Sequence, residues 1–269
     1  MRVEFIKMHG LGNDFVVLDS RARSLPEITR SIARALADRH TGIGCDQLIL
    51  LTPSDNADFA MRIFNHDGGE VEACGNATRA VGLLVGGDAY IQTTAGVLHT
   101  CKTDSGIAVD MGVPHFEWDE IPLGYPMDTL SMPVGWEDLE RPAAVNVGNP
   151  HVVFFIEDSD AVLLDEIGPI IEHDPLFPER VNVNVATVED RQTVRLRVWE
   201  RGVGLTRACG TGACATAVAA MRRGLVEREV TVHLPGGALR IGWGEDQRIT
   251  MTGPASESFR GSFEWEDYA

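Results

Sequence analysis

Apolar residues along the chain fall into many short runs and only a few helical stripes. Residues 3–8 and 15–19 alternate or run apolar around His9-Gly10-Leu11-Gly12-Asn13-Asp14, which predicts a hairpin displaying polar groups at its tip. Pro26 then opens a predicted helix with Ile28, Ile32 and Leu36 on one stripe. Strands are expected at 48–51 and 59–65, the second ending in the loop His66-Asp67-Gly68-Gly69-Glu70 that leads to Cys74. Others follow near 89–93, 97–102 and 107–111, and residues 113–142, rich in proline, glycine and acidic side chains, read as a joint. The remainder repeats the plan: a helix from Ser159 carrying Val162, Leu163 and Ile167, then strands near 181–188 and 193–200. Helical spacing returns after two cysteines, with Ala77, Ala80, Val81 and Leu84 following Cys74 and Ala213, Ala217, Val218 and Met221 following Cys209.

This likeness is an internal repeat. Asn13 stands 61 residues before Cys74 and Asn149 stands 60 before Cys209, inside Gly12-Asn13-Asp14-Phe15-Val16-Val17 and Gly148-Asn149-Pro150-His151-Val152-Val153. Gln47 and Asn182 each lie 27 before their cysteine, and Asn65 and Glu200 each lie nine before. Register kept over separate segments indicates two homologous halves, in which short strands dominate and each half has two helices.

A formal charge of −17 argues against nucleic acid or an anionic membrane as the main partner, since both are bound through positive surface. Glu4 and Lys7 fall where a signal peptide needs an apolar core, and no apolar run approaches a membrane span, so a cytoplasmic location is expected. Five cysteines without a secretion signal predict thiols, not a disulfide framework.

Cys45, Cys101 and Cys214 read as buried packing residues. Cys74 and Cys209 differ, because each precedes a glycine and a helix start, where backbone N–H groups and the positive helix end favour a thiolate and can grip a carboxylate. No CxxC or neighbouring histidine supports a metal site. The remaining reading is acid/base chemistry: one sulfur removes a proton from a substrate carbon and the other returns one from the opposite face. The N–H groups of Gly75-Asn76 and Gly210-Thr211 would stabilise the developing charge. The only lysines, Lys7 and Lys102, lie outside polar loops of this site, so no pyridoxal cofactor is expected. Around the cysteines the loops offer Asn13, Gln47, Asn65, Asn149, His151, Asn182, Glu200 and Arg201. Arg201 suits a carboxylate and Glu200 an ammonium, together describing a second amino-acid end on the ligand. His151 and Glu200 are placed to tune thiol protonation.

Lys7-Met8-His9-Gly10-Leu11-Gly12-Asn13-Asp14-Phe15, Phe64-Asn65, Cys74-Gly75-Asn76, Gly148-Asn149-Pro150-His151, Glu179-Arg180-Val181-Asn182, Glu200-Arg201-Gly202 and Ala208-Cys209-Gly210-Thr211-Gly212-Ala213-Cys214 carry a resemblance to the diaminopimelate epimerase family over nearly the full length. It implies an α/β (α+β) fold of two pseudo-symmetric domains, each a curved, mostly antiparallel sheet or barrel around a central helix. The domains are expected at 1–114, with a returning C-terminal strand at 255–269, and at 115–254, with the active site in the cleft between them. The implied reaction is cofactor-independent epimerisation of LL- to meso-2,6-diaminopimelate, in lysine and peptidoglycan precursor synthesis. Cys74 and Cys209 are implied as the acid/base pair, and Asn13, Gln47, Asn65, Gly75, Asn76, Asn149, Asn182, Glu200, Arg201, Gly210 and Thr211 as substrate contacts. A homodimer is compatible with the resemblance. Ala77-Thr78, Leu205 and Arg207 depart from the family's usual residues without removing a group the chemistry needs. Two rivals stand beside this reading: another racemase or isomerase of the same fold, proline racemase-like or phenazine isomerase-like, and a non-catalytic amino-acid binding protein.

Overall fold

The computed structural model describes residues 1–72 and 74–268. The chain divides into two units, one of Met1–Val109 with Gly253–Ala269 and one of Asp110–Thr252.

The first unit runs β1 (Arg2–Gly10), β2 (Asn13–Asp19), α1 (Arg30–Ala37), β3 (Gln47–Thr52), β4 (Phe59–Asn65), β5 (Glu70–Val71), α2 (Gly75–Leu84), β6 (Ala89–Thr93), β7 (Gly96–Thr103) and β8 (Gly106–Asp110). Strands β2 and β3 pair in parallel through α1, and β3 and β4 pair antiparallel. The apolar runs of β2 and β3 are explained by burial on both faces. Val16, Leu18, Leu48 and Leu50 join a core with Ile32 and Leu36 of α1, whereas Phe15, Val17, Ile49 and Leu51 join one with Ala77, Ala80 and Val81 of α2. Each large aliphatic side chain so buried contributes roughly 1.5–3 kcal/mol.

The second unit runs β9 (Gly135–Trp136), β10 (Leu139–Glu140), β11 (Ala143–Asn146), β12 (Pro150–Phe155), α3 (Leu164–Glu172), β13 (Asn182–Asp190), β14 (Thr193–Glu200), β15 (Gly204–Thr206), α4 (Gly210–Arg222), β16 (Glu229–Leu234), β17 (Gly237–Trp243) and β18 (Ile249–Gly253). Its pairings reproduce those of the first unit: β12 with β13 is parallel, β13 with β14 antiparallel, and β14 with β16 parallel as β4 is with β6. The duplication seen in the sequence is therefore a duplication of topology. The strand β19 (Ser256–Glu264) lies antiparallel to β1 and completes the first unit.

In each unit the helix following the cysteine is central. Helix α2 packs on β1, β7 and β19, and α4 on β11, β12, β13, β14, β16 and β17. Both helices are buried on nearly every side, which their small alanine, glycine and threonine side chains permit. Among the described residues the end strands of neither unit pair with each other, so each sheet is an open curl and not the closed barrel offered as an alternative.

Three sequence expectations need correction. The first helix starts at Arg30 and not at Pro26, because the Thr29 hydroxyl accepts the Ile32 N–H and caps it there; Ile28 remains buried outside the helix. The helix expected from Ser159 is a 3₁₀ turn over Ser159–Ala161, then α3. Residues 113–142, read as a joint, are not only a joint: Ile121, Leu123, Met132 and Leu139 sit in the core of the second unit, on the side of the expected boundary where most of the segment was already placed.

Candidate active site

In the first unit the loop after β4 delivers the chain to Cys74. Gly68 makes the turn at φ +81°, and a Cβ there would meet the Arg30 carbonyl oxygen at 2.1 Å. Cys74 is the N-cap of α2, its carbonyl accepting the Thr78 N–H at 2.9 Å. The N–H groups of Gly75 and Asn76 precede this first intrahelical bond and point out of the helix start. The half-buried Cys74 thiol donates to Asn13 Oδ1 at 3.9 Å, and Asn76 Nδ2 donates to the same oxygen at 3.3 Å. Asn13 is oriented from behind, since its Nδ2 donates to Asp46 at 3.0 Å. Asp46 and Asp14 are in turn bridged by Arg39 at 2.7 and 2.6 Å, and Lys7 pairs with Asp14 at 2.5 Å. Burial works against ionisation of Asp14, yet Arg39 and Lys7 outweigh it and hold the carboxyl well below the usual carboxylate range. Across β3 and β4, Gln47 and Asn65 are register partners, and Gln47 Nε2 donates to Asn65 Oδ1 at 2.9 Å. The buried Gln47 Oε1 has no hydrogen-bond partner among the described residues.

The second unit repeats this layout with different groups. Cys209 caps α4, and its buried sulfur accepts the Gly212 N–H at 3.4 Å and lies 3.5 Å from the Thr211 hydroxyl. The carbonyl of Cys209 accepts the Ala213 N–H at 3.0 Å, so the N–H groups of Gly210 and Thr211 precede the first backbone hydrogen bond of the helix. A Cβ at position 212 would stand 2.7 Å from the buried Asn184 Oδ1, so any larger residue there must displace that side chain. Asn182 donates to the Pro150 carbonyl at 2.8 Å and accepts the Arg201 N–H at 2.9 Å. Glu200 accepts the Thr206 hydroxyl, and Arg201 Nη1 donates to the Glu179 carbonyl at 2.9 Å. Asn149 Oδ1 lies 2.9 Å from His151 Nε2, while Asn184 Nδ2 donates to His151 Nδ1 at 3.1 Å. Nε2 therefore carries the imidazole proton.

Two electrostatic expectations change. Burial, reinforced by the charge of Glu200, raises the Cys209 thiol well above its ordinary range, with Thr211 and the Gly212 N–H opposing. At this cysteine the helix start does not win, and the resting group is a thiol. Burial also brings His151 down to about 3, so it is neutral at ordinary pH and cannot tune a sulfur by exchanging its own proton; it orients Asn149 instead.

The sequence reading overlooked Asn184, Glu172 and the Asp14–Asp46–Arg39 cluster. Asn184 was within reach, because it follows Asn182 by two on one strand and so shares its face. Glu172, 2% exposed, accepts Trp199 Nε1 at 2.7 Å and the Gly202 N–H at 2.9 Å, contacts that no local pattern announces. Among the described residues no cluster of three or more histidine, cysteine, aspartate or glutamate side chains is arranged to hold a metal, and no helix is long and apolar enough to cross a membrane.

Two α/β units of like topology, each with a central helix, form an architecture found in solved structures. The fold is shared with a phenazine biosynthesis protein of the PhzF family from Bacillus anthracis, at TM-score 0.71 and 15% identity over 98% of this chain and 99% of that one. It is also shared with a hydroxyproline epimerase from Agrobacterium vitis, at TM-score 0.68 and 17% identity over 97% and 91%. Residues 5–117 and 143–257 match the family described as diaminopimelate epimerase, and the chain belongs to that family. Relatives bearing that name include proteins of Erythrobacter litoralis, 68% identical over 100% of both chains, and Rhizorhabdus wittichii, 65% identical over 96% of this chain and 94% of that one.

Proposed function

We propose that the protein is an isomerase that epimerises LL-2,6-diaminopimelate to the meso form, with Cys74 and Cys209 as its acid/base pair acting on opposite faces of one α-carbon. The observation that carries this reading is the matched placement of two thiols at the starts of two buried helices in a chain of this family. One sulfur removes the α-proton as thiolate. The charge that develops is met by the N–H groups of Gly75 and Asn76 and of Gly210 and Thr211 together with the positive helix ends. Cys209, protonated at rest, returns a proton from the other side, and the reverse reaction exchanges the roles.

Asn13, Gln47, Asn65, Asn149 and Asn182 supply the remaining polar contacts. Glu200 and Arg201 receive the distal amino-acid end. The substrate is a small molecule, and the chemistry belongs to the cytoplasmic synthesis of lysine and peptidoglycan precursors.

Incubation with LL-diaminopimelate in deuterated water tests the reading: solvent deuterium enters the α position as the meso form appears. Cys74→Ala and Cys209→Ala each abolish epimerisation with the fold retained. Wild-type turnover in either variant would remove the two-thiol mechanism, and absence of deuterium would favour a protein that only binds.

A further inference from the structure

The turn that carries Glu200 and Arg201 is held by side chains of other elements. The Arg201 N–H is taken by Asn182 Oδ1 from β13, and the next N–H, of Gly202, by Glu172 Oε1 from the end of α3. The other carboxylate oxygen of Glu172 accepts the indole N–H of Trp199, just before the turn, and Arg180 approaches the carboxylate at 3.7 Å. A carboxylate 2% exposed is costly to bury unless its lone pairs are satisfied, and here they fasten the residues flanking Glu200 and Arg201 on both sides. Trp199 and Gly202 cannot shift independently of α3. The turn is closed by its own Val203 N–H to Glu200 carbonyl bond, with Gly202 at φ +73°, and the Glu172 bonds tie this turn to α3.

We infer that Glu172 is a positioning residue that fixes the Glu200–Arg201 turn for recognition of the distal ammonium and carboxylate of the substrate. It touches no reacting atom; it acts through the Gly202 N–H and the Trp199 ring. This inference rests on the diaminopimelate reading for its substrate, but its structural part stands apart from it.

The experiment compares wild type, Glu172→Gln and Trp199→Phe as full chains. Glutamine keeps the size of the side chain and loses the charge, and its amide group cannot accept both donors. Amide hydrogen exchange by NMR comes first: the Gly202 amide should exchange about tenfold faster in Glu172→Gln while amides of α4 are unchanged. Kinetics come second, with diaminopimelate and with 2-aminohexanoate, which lacks both distal groups, each followed by α-deuterium incorporation. For diaminopimelate kcat/KM should fall about 100-fold, chiefly through KM, and for 2-aminohexanoate by less than about threefold. Trp199→Phe, which leaves the Gly202 bond intact, should show the same discrimination at about a tenth of the size.

An equal loss for both substrates would make Glu172 a general structural support and overturn the inference, as would unchanged Gly202 exchange. If wild type fails to epimerise diaminopimelate, the functional reading falls, and the exchange measurement alone decides whether Glu172 holds the turn. Should Glu172→Gln not fold, unchanged discrimination in Trp199→Phe would overturn the inference.

Discussion

Burial of His151 makes the stability of the fold depend on pH below neutrality. It is fully buried, and its two nitrogens are committed to Asn149 and Asn184, so folding holds the ring neutral and lowers its pKa from 6.5 to about 3 through burial. The unfolded chain binds a proton at this residue below about pH 6.5, and the folded chain does not until about pH 3. Between those values the unfolded state holds more protons, so stability rises with pH and is lost as pH falls. Each unit below the unfolded pKa costs about 1.4 kcal/mol, which gives about 2 kcal/mol lost at pH 5 relative to pH 7. Urea unfolding of wild type and His151→Gln at both pH values isolates this contribution, because all other titrating groups are common to the two proteins. Wild type should lose about 2 kcal/mol more than the variant, even though the variant is the less stable of the two at pH 7. Identical pH dependence in the two proteins, or an NMR titration placing the His151 ring near 6.5 in the folded state, would refute the reasoning.

Other consequences can be measured separately. Gly212→Ala should lower kcat by about 10- to 100-fold and lower the thermal midpoint as well, because the methyl collides with the buried Asn184 Oδ1 and displaces the turn that presents Cys209; steady-state kinetics beside a melting curve tests this. Glu200→Gln removes a negative charge that raises the Cys209 thiol, so alkylation of Cys209, followed in a Cys74→Ala background, should reach half-maximal rate at a lower pH. Arg39→Ala should destabilise by about 1 kcal/mol at pH 7, a modest figure because Arg39 is half exposed. That difference should shrink as pH falls below the ordinary aspartate range, since Asp14 is the carboxyl whose ionised form Arg39 supports.

Much of the fold was legible because its signals are local. Strand β4 occupies Phe59–Asn65 as its apolar pattern implied, and the helices after Cys74 and Cys209 begin at the next residue. The repeat was legible because both copies keep the same spacing to their cysteines. What failed depended on distant partners. Pro26 is a plausible helix start until Thr29 is seen to cap the real one, and the composition of 113–142 gave no sign that Ile121 and Met132 fill a core. At the candidate site the helix starts at Cys74 and Cys209 could be read, but not the electrostatics: a helix start argues for a thiolate at Cys209, whereas burial and Glu200 argue more strongly for a thiol. Glu172 could not be found at all, since its role exists only where α3 meets β14 and the turn after it.

Strand β19 has a consequence for how the polypeptide comes off the ribosome. The first unit stays one strand short until residues 256–264 emerge, and until then β1 shows a row of unsatisfied amides and carbonyls to the cell. Residues 110–252 are synthesised without interruption and meet no such delay. The inserted module therefore acquires its structure while the surrounding one waits, and the interval before β19 docks is when the nascent protein is most open to aberrant strand exchange.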